Sequence, residues 1–281
     1  MKKLALPICK DVNSLRKSIS KQKKQSVGMV PTMGALHEGH LSLIRKAAQN
    51  HDTVIVTIFV NPIQFGPNED LDAYPRRLVQ DVELARSAGA TLVFAPTKES
   101  FYSLRHQTTI ANFELENLYC GEFRPGHFRG VLTVVTKLLL AGLPDAAYFG
   151  KKDYQQLYLI KRMVEDINIP VRVVGCPTKR EKDGLARSSR NEYLSSGERS
   201  QSAQIYQVLK STKEALKNNK KWNNLRKSGI KTLTNSGFDS VQYFELVSRN
   251  TLLPLKKFDE PAVLLLAAYM GKTRLIDNLE V

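Results

Sequence analysis

The run Thr53–Val60 is the feature that most narrows the possible folds of this chain. It combines β-branched and aromatic residues with almost no polar interruption, as in a strand buried on both faces of a parallel sheet. An apolar strand pattern, Val27–Val30, and a helical pattern, Leu41–Ala48, precede it with short links. Strand, helix and strand in this order form a right-handed βαβ unit. The sequence therefore predicts an α/β fold, with a Rossmann-like parallel sheet and helices on both faces.

This alternation continues up to residue 178 and then stops. The patterns predict further strands at Thr91–Pro96, Asp145–Phe149 and 171–176, the last as a fifth core strand, with a short strand near Thr108–Ile110. Helices are expected at 11–24, 76–89, Val131–Leu140 and Tyr154–Glu165. Beyond residue 178, two helical stretches at 197–218 and 223–236 precede strand patterns at Val241–Val247 and Ala262–Tyr269. We expect two domains, residues 1–178 and a smaller C-terminal α+β domain, residues 179–281.

The bend at residues 32–40 links the first strand of the βαβ unit to its helix. Gly34 and Gly39 would let the backbone turn tightly and let a ligand approach the main chain. A helix start offers N–H groups and partial positive charge, which suit a phosphate. His37 and His40 are three residues apart and would face the same way, so they could grip a triphosphate. The alternatives are ordinary surface histidines or zinc ligands, although no pair of cysteines has the spacing of a zinc site.

Two further polar segments follow predicted strands, at the edge where open α/β sheets bind ligands. Asn61 and Gln64 could hydrogen-bond a hydroxyl, carboxylate or amide of a small substrate, or satisfy the backbone of their own loop. In the turn 150–153, Lys152 could reach a phosphate. Asp153 could bind a ribose or cap the next helix.

Two basic segments leave alternatives open. Arg124, His127 and Arg129 precede a predicted helix and suit either an anion or a basic cap region. The segment 179–191 is polar and basic, with small hydroxyl residues. It could close over a phosphate tail or serve as a flexible linker.

Composition limits the function classes. The net charge of +15 on 281 residues favours anionic partners and makes a nucleic-acid-binding protein a rival hypothesis. No basic motif interleaved with aromatic residues supports that rival, so we expect no nucleic acid partner. No run approaches the ~18 apolar residues of a membrane span, and residues 1–7 are too short and proline-broken for a secretion signal. The 3 cysteines are sparse and suit a reducing compartment, so we expect a cytoplasmic protein.

Six blocks of the sequence, taken together, resemble a known enzyme family. The chain is similar to the pantothenate synthetases, or pantoate–β-alanine ligases, within the H-x-G-H nucleotidyltransferase superfamily. The H-x-G-H turn alone marks only that wider group, whereas the N-P-x-Q-F loop and the G-x-K-D-x-Q-Q turn are more specific. The matching blocks are 31–40, 59–65, 70–76, 124–130, 149–156 and 183–191.

The resemblance implies a two-step ligase reaction. ATP and pantoate would give pantoyl-adenylate and pyrophosphate, after which β-alanine would attack to give pantothenate and AMP. It implies Mg²⁺ as a cofactor and a homodimer as the assembly. An enzyme of the alternative kind, a cofactor-synthesising adenylyltransferase, would share the H-x-G-H turn but transfer AMP to a phosphate.

The resemblance also implies roles for individual residues. Gln64, Gln156 and Asn61 would bind the pantoate side of the reaction, and Lys179 would lie where the backbone meets adenine. The implied catalytic residues are His37, His40, Lys152 and Arg190, with His40 as the acid or electrostatic catalyst. The implied ATP site comprises Met33, Gly34, His37, Gly39, His40, Gly150, Lys151, Lys152, Asp153, Lys179, Arg187, Ser188, Ser189 and Arg190.

One position departs from the family pattern, and another is a candidate metal ligand. The residue before Ser188 is commonly Met or Leu in the family, whereas this chain has Arg187, an additional cation beside the phosphate loop. Asp81 is a candidate magnesium ligand on the helix that follows Tyr74, although magnesium often binds mainly through substrate phosphates.

Overall fold

The computed structural model of this protein describes residues 6–22, 26–67 and 69–281. They divide into two compact units. The first unit comprises Met1–Lys151 and Gln156–Cys176, and the second comprises Lys152–Gln155 and Pro177–Val281. Residues 1–5 of the N-terminal segment and residues 23–24 of the expected helix 11–24 lie outside the described residues.

The first unit contains a parallel sheet, as the apolar strand patterns predicted, with six strands where five core strands were predicted. Its strand order is β1-β4-β3-β2-β5-β6, and β2 pairs with β3 from Val27↔Thr53 to Thr32↔Ile58. The strands are β1 (Ile8–Cys9), β2 (Val27–Thr32), β3 (Thr53–Ile58), β4 (Leu92–Phe94), β5 (Ala146–Gly150) and β6 (Arg172–Cys176). The helices are α1 (Val12–Ser20), α2 (Glu38–Ala48), α3 (Leu78–Ser87), α4 (Lys98–Phe101), α5 (Cys120–Phe123), α6 (His127–Gly142) and α7 (Tyr154–Asp166).

Alternate residues of the central strands face opposite layers of helices. Val30 and Val56 belong to a buried cluster that includes Ile44 of α2 and Ala85 of α3. Gly142 of α6 lies on the other face, since a Cβ atom there would approach side chains of β2, β3 and α1. This alternation buries both faces of the sheet, and the predicted α/β fold with helices on both faces is confirmed.

The strand order places a topological switch point between β2 and β5. From β2 the chain adds β3 and then β4 on one side, whereas β5 and β6 lie on the other. Loops that leave the carboxyl ends of the two neighbouring strands diverge there, and open α/β sheets bind ligands in that crevice. The bend 32–40 follows β2, and Gly150 ends β5.

One predicted strand was wrong, and one strand of this sheet was not predicted. Residues 108–110 form no strand. The two-residue strand β1 was missed because its extended conformation depends on pairing with Val93 and Phe94 of β4.

The second unit is α+β. Its antiparallel sheet has the order β7-β8-β9, and its core includes Phe244, Leu264 and Leu209. The strand β9 was not predicted, and the helix expected at 197–218 is interrupted at Ala203. The elements are α8 (Ser196–Ser202), α9 (Gln204–Lys217), α10 (Trp222–Asn235), β7 (Ser240–Ser248), β8 (Ala262–Met270) and β9 (Thr273–Glu280).

Helices of membrane-spanning length and apolarity do not occur in residues 6–22, 26–67 and 69–281.

Candidate active site

The bend between β2 and α2 is fixed by a buried carboxylate. Gly34 and Ala35 both have positive φ, +86° and +49°, so the chain reverses sharply after the strand. Asp81 of α3 accepts hydrogen bonds from the N–H groups of Ala35 (3.0 Å) and Leu36 (2.8 Å) through its two oxygens. Its side chain is buried, and it lies on the first turn of α3, where the helix dipole favours negative charge. Asp81 therefore clamps the bend in place.

The two histidines of the bend are paired with each other and with the backbone. His37 is the N-cap of α2, and its Nδ1 accepts a hydrogen bond from the Gly39 N–H at 3.1 Å. The His37 N–H donates to Nδ1 of His40 at 3.3 Å, and the ring centroids are 4.1 Å apart. Because both Nδ1 atoms accept, each neutral ring carries its proton on Nε2. Two N–H donors beside a helix N-terminus suit the oxygens of a phosphate chain.

Gly39 has a different reason for being glycine than the predicted tight turn. It lies within α2, and a Cβ atom there would come 2.7 Å from Cε1 of His37. Gly39 therefore leaves room for the His37 ring, whereas Gly34 is the position whose backbone conformation requires glycine.

The alternative of a metal site finds little support around the bend. Among the residues that the structure describes, no group of three or more His, Cys, Asp or Glu side chains is arranged to hold a metal ion. Asp81, the predicted magnesium ligand, directs both oxygens at backbone N–H groups. A carboxylate whose two oxygens both accept from backbone N–H groups fits poorly as a metal ligand.

The turn Pro62–Gln64, a short 3-10 helix after β3, carries a second set of polar side chains. Asn61 donates through Nδ2 to Oε1 of Gln64 and to the carbonyl of Gly130, both at 3.1 Å, and its Oδ1 accepts from the Tyr102 hydroxyl at 2.9 Å. Nε2 of Gln64 lies 2.9 Å from Sδ of Met33. The structure thus brings this turn against the bend, as the position of both loops after neighbouring strands predicted.

The basic residues at the start of α6 have partners within the first unit, and His127 and Arg129 lie inside this helix rather than before it as predicted. Arg124 forms a two-pronged ion pair with Glu69, and Arg129 pairs with Glu116. His127 accepts from Arg124 through Nε2 and donates through Nδ1 to the Gln64 carbonyl at 2.8 Å. These contacts favour the alternative of a basic cap region over an anion site, and through His127 the segment also holds the Gln64 turn.

The turn after β5 divides between the two units. Gly150 and Lys151 belong to the first unit, as does half-buried Gln156, while Lys152 and Asp153 belong to the second. In the second unit the Lys152 carbonyl accepts a hydrogen bond from Asn278 of β9 at 2.8 Å. The Lys152 ammonium lies 3.7 Å from the Asp153 carboxylate, and the Lys152 side chain is 20% exposed.

The segment 179–191 is a loop of the second unit with hydrogen bonds between its own two ends. Arg180 and Ala186 form an antiparallel bridge, and the Arg187 N–H donates to the Lys179 carbonyl at 2.9 Å. Ser188 caps a 3-10 turn, Ser189–Tyr193, by accepting from the Arg190 N–H. The unusual Arg187 is paired with Glu181 at 3.0 Å, so its charge has a local partner.

A buried ion pair anchors this loop to the sheet of the second unit. Arg180 donates to both oxygens of Asp277 in β9, at 2.6 and 2.9 Å, and its guanidinium lies 3.8 Å from the ring centre of Tyr206. Burial raises the pKa of the Asp277 carboxyl, and the neighbouring guanidinium opposes that shift. The adjacent residue Asn278 holds Lys152, so one strand positions both the loop and the lysine.

Comparison with known proteins decides the family. A family model described as pantoate–β-alanine ligase matches residues 7–280. The chain belongs to the pantoate–β-alanine ligase family. The resemblance drawn from the six sequence blocks is thereby confirmed.

Individual members of the pantoate–β-alanine ligase family match over nearly the whole chain. The pantothenate synthetase of Marinobacter nauticus is 48% identical over 264 residues, covering 93% of both chains. That of Sulfurihydrogenibium is 48% identical over 271 residues, covering 96% of both. The crystal structure of the Thermus thermophilus pantothenate synthetase superposes with a TM-score of 0.92 at 42% identity, covering 98% of this chain and 99% of the other.

A fourth relative was crystallised with ligands. The pantoate–β-alanine ligase of Francisella tularensis, described as complexed with β-γ ATP and β-alanine, has a TM-score of 0.83 and 38% identity, covering 98% of both chains.

Two residues of this candidate site, Tyr102 and Gly130, were not predicted from the sequence, and His127 was predicted only as part of a basic segment. Tyr102 contacts Asn61, His127 holds the Gln64 carbonyl, and Gly130 lets α6 approach the turn, since a Cβ atom there would lie 2.4 Å from the Ile63 carbonyl. The block 124–130 in the sequence was a signal for the last two. Tyr102 had no such signal.

Proposed function

We propose that this protein catalyses the ATP-dependent condensation of pantoate with β-alanine to pantothenate, AMP and pyrophosphate through a pantoyl-adenylate. The family match over residues 7–280 carries this proposal. In the first step a pantoate carboxylate oxygen attacks the α-phosphorus of ATP and pyrophosphate leaves. In the second, the amine of β-alanine attacks the acyl carbon and AMP leaves. The chain is therefore an AMP-forming carbon–nitrogen ligase.

In this proposal the bend binds the ATP phosphates. The Nε2–H groups of His37 and His40 and the N-terminus of α2 would donate to phosphate oxygens as negative charge develops on the departing pyrophosphate. Catalysis would depend on positioning and charge stabilisation, without a covalent enzyme intermediate. The remaining ATP contacts would come from Met33, Gly34, Gly39, Gly150, Lys151, Lys152, Asp153, Lys179, Arg187, Ser188, Ser189 and Arg190.

Pantoate would be held by the amides of Gln64 and Gln156. Gln64 is positioned for this by its contacts with Asn61 and His127. Asn61 uses its own polar atoms within the protein, so its contribution would be to hold Gln64. Magnesium would be carried by the phosphates of ATP. We also propose a homodimer, a cytoplasmic location and domain bounds at 1–178 and 179–281.

The direct test is pantoate-dependent release of pyrophosphate from ATP, measured with and without β-alanine. We expect release with pantoate alone to stop near one equivalent of enzyme-bound adenylate and to become catalytic with β-alanine. Release that requires a phosphorylated acceptor instead would favour an adenylyltransferase. The same assay tests the bend, because removal of one well-placed donor costs about 10²–10³ in rate.

We therefore expect His40→Ala to lose about 10²–10³ in pantoate-dependent ATP–pyrophosphate exchange while the protein stays folded. Unchanged exchange would remove His40 from the mechanism. A second measurement concerns Gln64→Ala, which should weaken pantoate binding more than ATP binding in calorimetry. Equal weakening of both ligands would contradict the assignment of Gln64 to pantoate.

A further inference from the structure

A line of three buried side chains, Tyr102, Asn61 and Gln64, leads to the proposed pantoate site; we call it the Tyr102 relay. The Tyr102 hydroxyl donates to Oδ1 of Asn61 at 2.9 Å, and Nδ2 of Asn61 donates to Oε1 of Gln64 at 3.1 Å. Tyr102 is only 6% exposed, so it acts on any ligand through Asn61 rather than by contact.

The direction of these hydrogen bonds is set by the backbone. The carbonyl of Gly130 can only accept, and it lies 3.1 Å from Nδ2 of Asn61. Rotation of the Asn61 amide by half a turn would bring its own oxygen against that carbonyl and against Gln64. Asn61 must therefore point its oxygen at Tyr102 and its nitrogen at Gln64.

The orientation of the Asn61 amide in turn fixes the orientation of the Gln64 amide. Because Oε1 of Gln64 accepts from Asn61, its Nε2 faces the other way, where its neighbour is Sδ of Met33 at 2.9 Å. A thioether sulfur is a weak acceptor, so an oxygen of a ligand can replace it at little cost. The relay presents a donor, not an acceptor, at this point of the site.

We propose that Tyr102 is a positioning residue that holds the Gln64 amide with its N–H₂ group toward the substrate. The position next to Met33 then selects an acceptor oxygen of the carboxylic acid substrate. This inference rests on the proposed binding of pantoate at Gln64. Aromatic packing supports it, since the Tyr102 ring contacts Phe59 and Phe101 and lies under the Lys137 ammonium at 5.2 Å.

The test compares Tyr102→Phe with Tyr148→Phe. Tyr148 is also buried in the first unit and its hydroxyl is 3.0 Å from Nε2 of His51, so the control loses an equivalent hydroxyl outside the relay. Tyr102→Phe leaves Oδ1 of Asn61 buried without its donor, which loosens the Asn61 amide although the Gly130 carbonyl still sets its direction. Gln64 is then held less firmly, and we expect pantoate affinity to fall about three- to tenfold, the range of one ordinary hydrogen bond. ATP affinity should stay within about twofold, and Tyr148→Phe should leave both affinities within about twofold.

A double-mutant cycle separates positioning from general loosening. In a Gln64→Ala background, Tyr102→Phe should cause no further loss of pantoate affinity, because its effect passes through Gln64. Additive losses, or equal losses for pantoate and ATP, would overturn the relay. An unchanged pantoate affinity in Tyr102→Phe would do the same while leaving the proposed function intact.

Failure of the underlying assignment has a different signature. If Gln64→Ala itself leaves pantoate affinity unchanged, the pantoate site is wrong and the relay falls with it. If Tyr102→Phe does not fold, the wild-type protein still gives the answer by NMR. Pantoate should shift the side-chain ¹⁵N–¹H₂ signals of Gln64, assigned by their loss in Gln64→Ala, and unmoved signals would refute a donor facing the ligand.

Discussion

Replacing Asp81 tests whether the carboxylate clamps the bend. Each hydrogen bond to a charged group contributes about 1.5–3 kcal/mol, and Asp81 accepts two of them, from Ala35 and Leu36. Both bonds hold one short segment, so their contributions overlap, and removal of a buried charge recovers part of the loss. We expect Asp81→Ala to lower the free energy of unfolding by about 3 kcal/mol.

The measurement is chemical unfolding monitored on the first unit, combined with calorimetry of ATP binding. Asp81→Asn keeps one acceptor and should lose about half as much stability, since only one N–H remains well paired. Glu83→Ala is the matched control, because Glu83 lies on the same helix with its side chain 58% exposed, and it should change stability by no more than about 0.5 kcal/mol. ATP affinity should fall in step with the loosening of the bend.

A different result would refute the clamp. If Asp81→Ala keeps full stability and instead shifts the magnesium concentration needed for activity, Asp81 is a metal ligand and its contacts with the bend are incidental. If stability falls but ATP affinity is unchanged, the bend does not hold the phosphates.

Three other substitutions probe the rest of the structure. Gly130→Ala should lower the free energy of unfolding by about 1–3 kcal/mol and weaken pantoate binding, because the new Cβ atom would lie 2.4 Å from the Ile63 carbonyl. Gly197→Ala is the control, since no atom lies within 4 Å of its Cβ position, and it should change neither quantity. Unfolding curves measure the stability of both variants, and calorimetry measures their pantoate binding. Asp277→Asn breaks the buried pair with Arg180 and should destabilise the second unit by about 3–5 kcal/mol in chemical unfolding; a loss below 1 kcal/mol would contradict this. Burial lowers the pKa of His51 below its usual 6.5, so the stability that comes from keeping His51 neutral is complete above pH 6.5 and is lost as the pH falls through the folded pKa. His51→Gln should therefore flatten the decline of the free energy of unfolding between pH 7.5 and pH 5. An unchanged slope would contradict this assignment.

Much of the fold could be predicted because most of its strands have a local composition that is typical of buried strands. Every residue of Thr53–Ile58 is β-branched, and the burial of the strand on both faces follows from that composition. Ile8–Cys9 carries no such signal, since its extended form comes from pairing with β4, far along the chain. In β9, Asp277 interrupts the apolar alternation, and its burial depends on hydrogen bonds from Arg180 and from the Asn278 N–H.

In the candidate site, too, contacts within one short segment could be predicted, whereas contacts between distant segments could not. The spacing of His37 and His40 predicted two rings on one face, and the structure places their centroids 4.1 Å apart. Asp81 is a candidate magnesium ligand by its place on the helix after Tyr74, but its two oxygens accept from backbone N–H groups, which a sequence does not display. Tyr102 and Asn61 meet across 41 positions, and no periodicity relates residues so far apart.

The central position of β2 has a consequence for how the protein tolerates local opening. β2 is hydrogen-bonded along both edges, to β3 and β5, whereas β1 has a partner on one side only. Amide protons of Met29 and Val30 should therefore exchange with solvent among the slowest in the first unit, and those of β1 among the fastest. The histidine bend follows directly after this doubly paired strand, so local opening of β1 at the edge of the sheet should leave the geometry of the bend unchanged.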